Sequence, residues 1–127
     1  MAKGKTYWRN KCDKLWKQKV KERAGFRCEV CGCTHKQMHA HHLISRSAIF
    51  FRHNLENGMC LCASCHRYEY GQKGKFSAHG SPLLFEEWME KNRPDTFLWW
   101  QKNQHAVTAG VTIDYEQVFH ALEAAWH

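Results

Sequence analysis

The chain has 127 residues, a length that fits one domain with one hydrophobic core. Hydrophobic residues make up 43% of it and aromatic residues 13%, so it can fold, although a small core gains from a bound metal. No run of about 18 apolar residues is present, and no apolar segment of a signal peptide follows the N-terminus. We therefore expect a cytoplasmic protein without a membrane partner, in which paired cysteines bind metal rather than form disulfides.

The formal net charge of +7 is unevenly distributed along the chain. Residues 1–27 carry ten Lys or Arg and two acidic residues, whereas residues 80–127 carry three Lys or Arg and seven acidic residues. A basic front and an acidic back favour a polyanion bound at one face. A solvated basic helix without a partner is the alternative.

The N-terminal segment has the pattern of a basic helix over residues 6–24, with Thr6 as a candidate N-cap and Gly25 at its end. Its apolar stripe is incomplete, so we expect one edge to pack on the core. Trp8 is predicted to lie in the core, with stacking on a base as the alternative. The polar face supplies candidate phosphate contacts, which carry affinity but no sequence information: Arg9, Lys14, Lys17 and Lys21, with Lys11 and Arg23 beside them.

Two Cys-x-x-Cys pairs are present, Cys28/Cys31 and Cys62/Cys65. Each pair places two thiolates on one tight turn, and two such turns complete the tetrahedral site of a structural Zn²⁺. Cys33 competes with Cys31 as a ligand, but equal spacing within both pairs favours the four paired cysteines. Redox dithiols are the alternative, although these normally occur singly and beside a βαβ pattern that the sequence lacks. We expect the domain to unfold without zinc.

The segment between the cysteine pairs is 30 residues long, wider than in a common zinc ribbon, and contains a double histidine. Residues 38–44 have strand character, so the adjacent His41 and His42 must face opposite sides. One of them can then hold a metal while the other addresses a water molecule beside it. A second strand near residues 58–61 would complete a hairpin.

These motifs resemble those of an HNH endonuclease with zinc knuckles. The residues that carry the resemblance are Met38 to Ile44, Asn57 and Leu61 to His66, and a weaker continuation, Ala78-His79-x-x-Pro82-x-x-Phe85-x-x-Trp88, resembles small HNH proteins of phage genomes. The resemblance implies an α+β fold, a small α-rich domain around a ββα-metal hairpin and helix that zinc staples together. Together with the length and the helical patterns at both ends, it predicts one domain over 1–127, with a basic N-terminal helix (1–27), an HNH core (28–79) and a helical C-terminal scaffold (80–127).

The resemblance also implies the roles of individual residues. His41 corresponds to a metal ligand and His42 to the general base, which suits an imidazole because its pKa lies near neutrality. Asn57 corresponds to the central asparagine, which would tie the loop across the hairpin and fix the base, with Asn54 as its rival. His66, at the start of the helix, corresponds to a further metal ligand.

The third ligand departs from the family pattern. Relatives place His or Asn one turn after His66, where this chain has Tyr70, and we predict that His79 takes this role. Arg46 is a candidate phosphate contact near the scissile bond, with an ordinary surface arginine as the alternative. The remaining histidines lack motif context and are expected at the surface or in packing: His35, His39, His53, His105, His120 and His127.

The C-terminal segment is predicted to be helical. Ser81-Pro82 marks the start of a helix over 83–92, and Arg93-Pro94 ends it. A short helix follows over 96–102, and Asp114 caps a last helix over 115–126. The apolar residues of this segment are expected in the core, among them Leu84, Phe85, Trp88, Met89, Phe97, Leu98, Trp99 and Trp100.

The predicted function is metal-dependent hydrolysis of DNA phosphodiester bonds, with nicking by a monomer and a 5′-phosphate product, as the resemblance implies. The catalytic ion is expected to be Mg²⁺ or Mn²⁺, with Zn²⁺ or Ni²⁺ as alternatives, beside the structural Zn²⁺. One other hypothesis is a zinc-stapled nucleic-acid-binding module, which would not need the histidine pair. Another is a subunit of a recombination or packaging assembly with phage or host proteins as partners, in the bacterial cytoplasm if the protein is phage-encoded.

Overall fold

The structure is a computed structural model and describes residues 3–67 and 77–125. Its elements are α1 (Lys5–Arg23), β1 (Met38–His42), a 3₁₀ turn (Leu55–Asn57), β2 (Gly58–Cys62), α2 (Ala63–Arg67), α3 (Pro82–Asn92), α4 (Pro94–Asn103) and α5 (Tyr115–Ala124). Helices around one small antiparallel sheet confirm the predicted α+β class. Tyr70, on which the departure from the family pattern rests, lies outside the described residues. Among the described helices, none has the length and apolar character needed to cross a membrane.

The β-hairpin lies between two hydrophobic clusters. β1 and β2 pair antiparallel with His41 opposite Met59 and His42 opposite Gly58, and β2 covers the predicted second strand. Met59 and Leu61 belong to a cluster with residues of α3, whereas Cys60 belongs to a cluster with residues of α1 and α5. Successive residues of a strand face opposite sides, so the two faces of the hairpin meet different helices.

Helix α1 packs by one stripe, as predicted, and this stripe contacts both the hairpin and α5. Trp16 and Val20 are buried in the cluster with Cys60, and Trp8 packs against Phe119 of α5, with 5.6 Å between ring centroids. The predicted N-cap at Thr6 was wrong, because the helix already begins at Lys5 and Gly4 occupies the cap position. A glycine cap offers no side-chain acceptor, so the sequence carries little signal for this boundary.

The C-terminal end of α1 has the predicted glycine. Gly25 adopts a φ of +66°, its N–H donates to the Glu22 carbonyl, and the N–H of Phe26 donates to the Lys21 carbonyl. This pair of hydrogen bonds is the Schellman motif, which satisfies helix carbonyls that have no partner within the helix. The chain then turns towards the first cysteine pair.

Helix α1 packs closely on β2 at Gly58. A Cβ atom at this position would lie 2.5 Å from Val20 Cγ2 and 2.8 Å from Trp16 Cζ2. Gly58→Ala is therefore expected to lower the free energy of unfolding by about 1–3 kcal/mol, the usual cost of overpacking a core. Denaturant unfolding measures this change.

Gly4→Ser is the control for Gly58→Ala. It adds a Cβ where no atom lies within 4 Å and keeps a residue suited to the N-cap, so unfolding should change by less than about 0.5 kcal/mol. Equal stability of Gly58→Ala and the wild type would contradict the close packing of α1 on β2.

Helix α3 begins at Pro82 and ends at Asn92, close to the predicted bounds. Phe85 and Met89 are buried and Trp88 is half-buried, as expected, but Leu84 was wrongly predicted to be buried because 46% of it is exposed. Positions 85 and 89 are four residues apart and share one helix face, from which position 84 is rotated by about 100°.

Helix α4 is less buried than predicted. No residue of α4 is fully buried, and Leu98 is 60% exposed, whereas Phe97, Trp99 and Trp100 are half-buried. A helix at the edge of a small domain has apolar residues on more sides than the core can cover. Helix α5 begins as predicted, because Asp114 Oδ1 accepts a hydrogen bond of 3.2 Å from the Gln117 N–H.

Candidate metal and catalytic site

The four paired cysteines converge at one point. The Sγ atoms of Cys28, Cys31, Cys62 and Cys65 all lie within 4.8 Å of one another, and Cys33 is not part of this group. Three of the four side chains are almost fully buried, and all four are free thiols. Four converging cysteine sulfurs without a disulfide are the donor set of a structural zinc site, so these residues fit Zn²⁺. The geometry favours the predicted four over Cys33.

The cysteine cluster connects distant parts of the chain. The first pair follows α1, and its turn is held against the hairpin by a 2.9 Å hydrogen bond from the Glu29 N–H to the Cys60 carbonyl. Cys62 ends β2, and Cys65 lies in α2 directly before His66. A zinc ion at these sulfurs would therefore anchor the helix turn that carries His66.

A second cluster of metal-binding side chains consists of three histidines from three elements. His41 lies in β1, His66 in α2 and His79 shortly before α3, and one ring nitrogen of each lies within 4.8 Å of the others. The Nε2 atoms of His66 and His79 are 3.0 Å apart. His41 and His66 are buried, whereas His79 is exposed. The structure thus brings together the three residues that the sequence suggested as ligands.

His41 is held in the neutral form that binds metal. Its ring packs edge-on against Phe85, with 5.6 Å between ring centroids. Burial, followed by the nearby His66 and His79, lowers the pKa of His41 to about 3. A ring nitrogen of this imidazole therefore has a free lone pair at neutral pH.

His42 lies on the other side of the strand, as the alternation predicted. Its ring stacks on the Trp16 indole with 4.0 Å between centroids and 10° between planes. Its Nε2 is 3.0 Å from the Arg52 carbonyl oxygen. A carbonyl oxygen only accepts, so Nε2 carries the hydrogen and Nδ1 keeps the lone pair. Burial lowers the pKa of His42 to about 4, which leaves the ring neutral at pH 7.

His41 and His42 both line one cavity of about 640 Å³. His66 and His79 contribute to its wall, as do Lys17 from α1 and Arg46 from the loop after β1. The cavity therefore combines metal-binding imidazoles, a neutral imidazole with a free lone pair and two cations. Such a combination suits a substrate that carries a phosphate group.

Asn57 is fully buried and joins the ends of the loop between the strands. Its Oδ1 accepts from the Ile44 N–H at 2.6 Å, and its Nδ2 donates to the carbonyls of Ile44 and Phe51 at 2.9 and 3.1 Å. This matches the predicted tie across the loop. Asn57 is not among the residues that line the cavity, so it bears on the site through the loop. Its rival Asn54 instead caps the 3₁₀ turn by accepting from the Glu56 N–H.

His39 is a site residue that sequence reasoning missed. Its Nδ1 lies 2.8 Å from the Nδ1 of His66. Strand alternation offers a signal, because His39 and His41 lie two residues apart and face the same side of β1. A contact with one ring nitrogen of a ligand histidine fixes which nitrogen is left for the metal.

The predicted phosphate-binding residues of α1 fall into two groups. Lys14, Lys17 and Lys21 line a groove of about 460 Å³, and Lys17 also lines the histidine cavity. Arg9 lies apart from these lysines and is half-buried, with a buried Nε that lacks a hydrogen-bond partner among the described residues. Arg23 donates to the carbonyls of Leu55 and Gly58 and so contributes to the fold.

The described architecture is a β-hairpin followed by a helix. One cluster of histidines and one cluster of cysteines, each able to hold a metal, lie on these elements and the segments beside them. This arrangement defines the class of ββα-metal domains. Residues 28–72 match the family model of HNH endonucleases, so this part of the chain is similar to an HNH endonuclease domain. The matched segment includes the hairpin and all four cysteines, and it lies between α1 and His79. Comparison with curated proteins and with solved structures gave no match.

Proposed function

We propose that this protein is a metal-dependent endonuclease that hydrolyses phosphodiester bonds in DNA. One observation carries the proposal: three histidine nitrogens within 4.8 Å of one another lie beside a fourth histidine whose Nδ1 is free to accept a proton. The positive charge of the N-terminal helix supports a polyanionic substrate. A binding module without catalysis would need neither the ligand cluster nor the adjacent neutral imidazole.

In this proposal His41, His66 and His79 hold one divalent ion. A bound ion would supply Lewis-acid stabilisation of the charge that develops on the scissile phosphate and the leaving oxygen. The described ligand set consists of imidazoles without a carboxylate, which favours Zn²⁺ or Ni²⁺ over Mg²⁺. From the chemistry of the donor atoms we therefore prefer Zn²⁺ or Ni²⁺ over the Mg²⁺ or Mn²⁺ expected from the sequence.

His42 acts as the general base in this proposal. Its Nδ1 takes a proton from the attacking water, while Nε2–H stays bonded to the Arg52 carbonyl. Lys17 and Arg46 hold phosphate oxygens at the cavity. One such site hydrolyses one strand at a time, so a monomer would nick the duplex, and we propose a 5′-phosphate product.

Relaxation of supercoiled plasmid tests the proposal. The protein, loaded with one equivalent of zinc for the four cysteines, is incubated at fixed salt with Mg²⁺, Mn²⁺, Ni²⁺ or additional Zn²⁺ in turn, and once without any added ion. Open circles with at least one ion, and none without an added ion, are expected. A clean gel shift without cleavage under any ion would instead favour the binding module.

The three groove lysines are expected to set the salt dependence of DNA binding. The slope of log K against log salt is negative, and each lost phosphate contact lowers its magnitude by about 0.9. Replacing Lys14, Lys17 and Lys21 by alanine should therefore lower this magnitude by roughly 2–3. Gel shifts across a salt series measure this slope.

Lys91 and Lys102 provide the control for charge removal. Both are exposed and lie in the acidic C-terminal segment, so their replacement by alanine should leave the slope close to that of the wild type. The groove assignment fails if the triple variant and the wild type show the same slope.

A further inference from the structure

One acidic residue lies in the middle of the basic helix α1. Asp13 is one of two acidic residues in 1–27, and it lines the same groove as Lys14 and Lys17. A carboxylate at this position opposes the attraction of the lysines for a polyanion. Asp13 instead contacts Arg52 and His53, in the loop whose backbone binds the proposed base His42.

Asp13 binds the side chains of two consecutive loop residues. Oδ1 accepts from Arg52 Nε at 2.9 Å and from His53 Nε2 at 2.6 Å, and Oδ2 accepts from Arg52 Nη2 at 2.8 Å. Burial alone would raise the pKa of Asp13, but hydrogen bonds from Arg52 and His53 lower it below its usual value. A bidentate Arg–carboxylate pair fixes both the position and the orientation of the arginine.

The four residues 51–54 are held from both sides. Asn57 Nδ2 donates to the Phe51 carbonyl, Asp13 binds the side chains of the next two residues, and Trp16 Nε1 donates to the Asn54 carbonyl at 2.9 Å. Within this segment the carbonyl of Arg52 accepts from His42 Nε2. The acceptor that determines which nitrogen of His42 carries hydrogen therefore lies in a backbone segment that α1 and Asn57 hold in place.

We propose that Asp13 is a positioning residue for the general base. It holds the Arg52 carbonyl against His42 Nε2–H and so keeps Nδ1 as the proton acceptor, an inference that rests on the proposed function of His42. Trp16 lies three residues further along α1, on the same side of the helix, and its indole stacks on the His42 ring. Helix α1 thus orients the base ring by stacking and by fixing its hydrogen-bond acceptor.

Asp13→Ala beside Glu22→Ala separates positioning from charge. Glu22 is the other acidic residue of 1–27, and it is exposed. Asp13→Ala should lower kcat roughly tenfold to a hundredfold, the usual effect of removing a residue that orients a functional histidine. DNA affinity should stay the same or rise, because a negative charge leaves the groove. Glu22→Ala should keep the kcat of the wild type.

Asp13→Asn keeps an oxygen acceptor without the charge and serves where the alanine variant unfolds. Its kcat should lie between those of the wild type and Asp13→Ala. A kcat equal to that of the wild type in a folded Asp13→Ala would overturn the proposal. A loss of kcat accompanied by an equal loss of DNA affinity would also overturn it, because Asp13 would then act on binding.

The ring nitrogens of His42 give a readout that does not depend on cleavage. Long-range ¹H–¹⁵N spectra of the protein loaded with one equivalent of zinc per chain, which the four cysteines would take, should show His42 protonated at Nε2 in the wild type. Asp13→Ala should shift the ring towards a mixture of the two neutral forms, and an unchanged spectrum would overturn the proposal. If the wild type fails to cleave DNA but Asp13→Ala still shifts the His42 ring in this way, the nuclease function is refuted while the positional link is preserved.

Discussion

Replacement of His42 by alanine is expected to abolish plasmid cleavage while DNA binding persists. A general base contributes about 10²–10⁴-fold to the rate, and His42 is the neutral imidazole with a free lone pair next to the ligand cluster. The groove lysines stay in place, so affinity should remain within about twofold of the wild type, because phosphate contacts supply most of it. The rate of open-circle formation and a gel shift at the same salt concentration measure the two effects.

His105→Ala is the matched control for His42→Ala. His105 is exposed and lies between α4 and α5, away from both metal clusters in sequence, so its removal should leave the cleavage rate unchanged. Circular dichroism of all variants checks that the fold is retained. Unchanged nicking by His42→Ala would refute the base assignment and leave the ligand cluster without an adjacent base.

Removal of zinc is expected to unfold the domain. The four cysteine sulfurs lie within the cluster that also contains Met59, Leu61 and Phe85, so the ion would bind in the core itself. Structural Zn²⁺ contributes about 10–16 kcal/mol of apparent binding energy in small domains, which is comparable with a typical free energy of unfolding of about 5–15 kcal/mol. Far-UV circular dichroism during chelation, followed by addition of Zn²⁺, measures the loss and recovery of helix.

Two cysteine variants refine the zinc prediction. Cys65→Ser removes a predicted ligand and should prevent stable folding, whereas Cys33→Ser should fold and bind one structural zinc per chain, because Cys33 lies outside the sulfur group. Metal content by atomic absorption distinguishes them. Unaltered circular dichroism after complete removal of zinc would contradict a structural role for the metal.

Local patterns in the sequence were sufficient for the metal-binding elements. Cysteine spacing indicated the sulfur cluster, strand alternation separated His41 from His42, and Asp114 marked the start of α5. Each of these signals lies within a few neighbouring residues and follows from the geometry of one strand, turn or helix end. Such signals can be read from the sequence because each depends on residues that are close together along the chain.

The contacts that orient His42 could not be predicted in this way. Asp13 meets His53 across 40 positions of sequence, and Trp16 meets His42 across 26, so both contacts depend on how α1 packs against the hairpin. Nothing in the pattern of a basic helix distinguishes an aspartate that binds a loop from one exposed to solvent. The prediction that Leu84 is buried was wrong for a related reason, because only packing determines which of several apolar residues faces the core.

The close packing of α1 on β2 bears on how this domain can be grafted into a fusion protein. A fragment of residues 28–72 would carry the family motif and all four cysteines, but it would lack Trp16 and Val20, which cover Gly58 and Cys60. Without α1, strand β2 would lose its apolar cover on one side, and the His42 ring would lose the Trp16 indole on which it stacks. A transplantable unit therefore needs α1 as well as α3 and α5, which complete the two clusters around the hairpin. A chimera cut at the motif boundaries would separate the histidine pair from the helix that orients it.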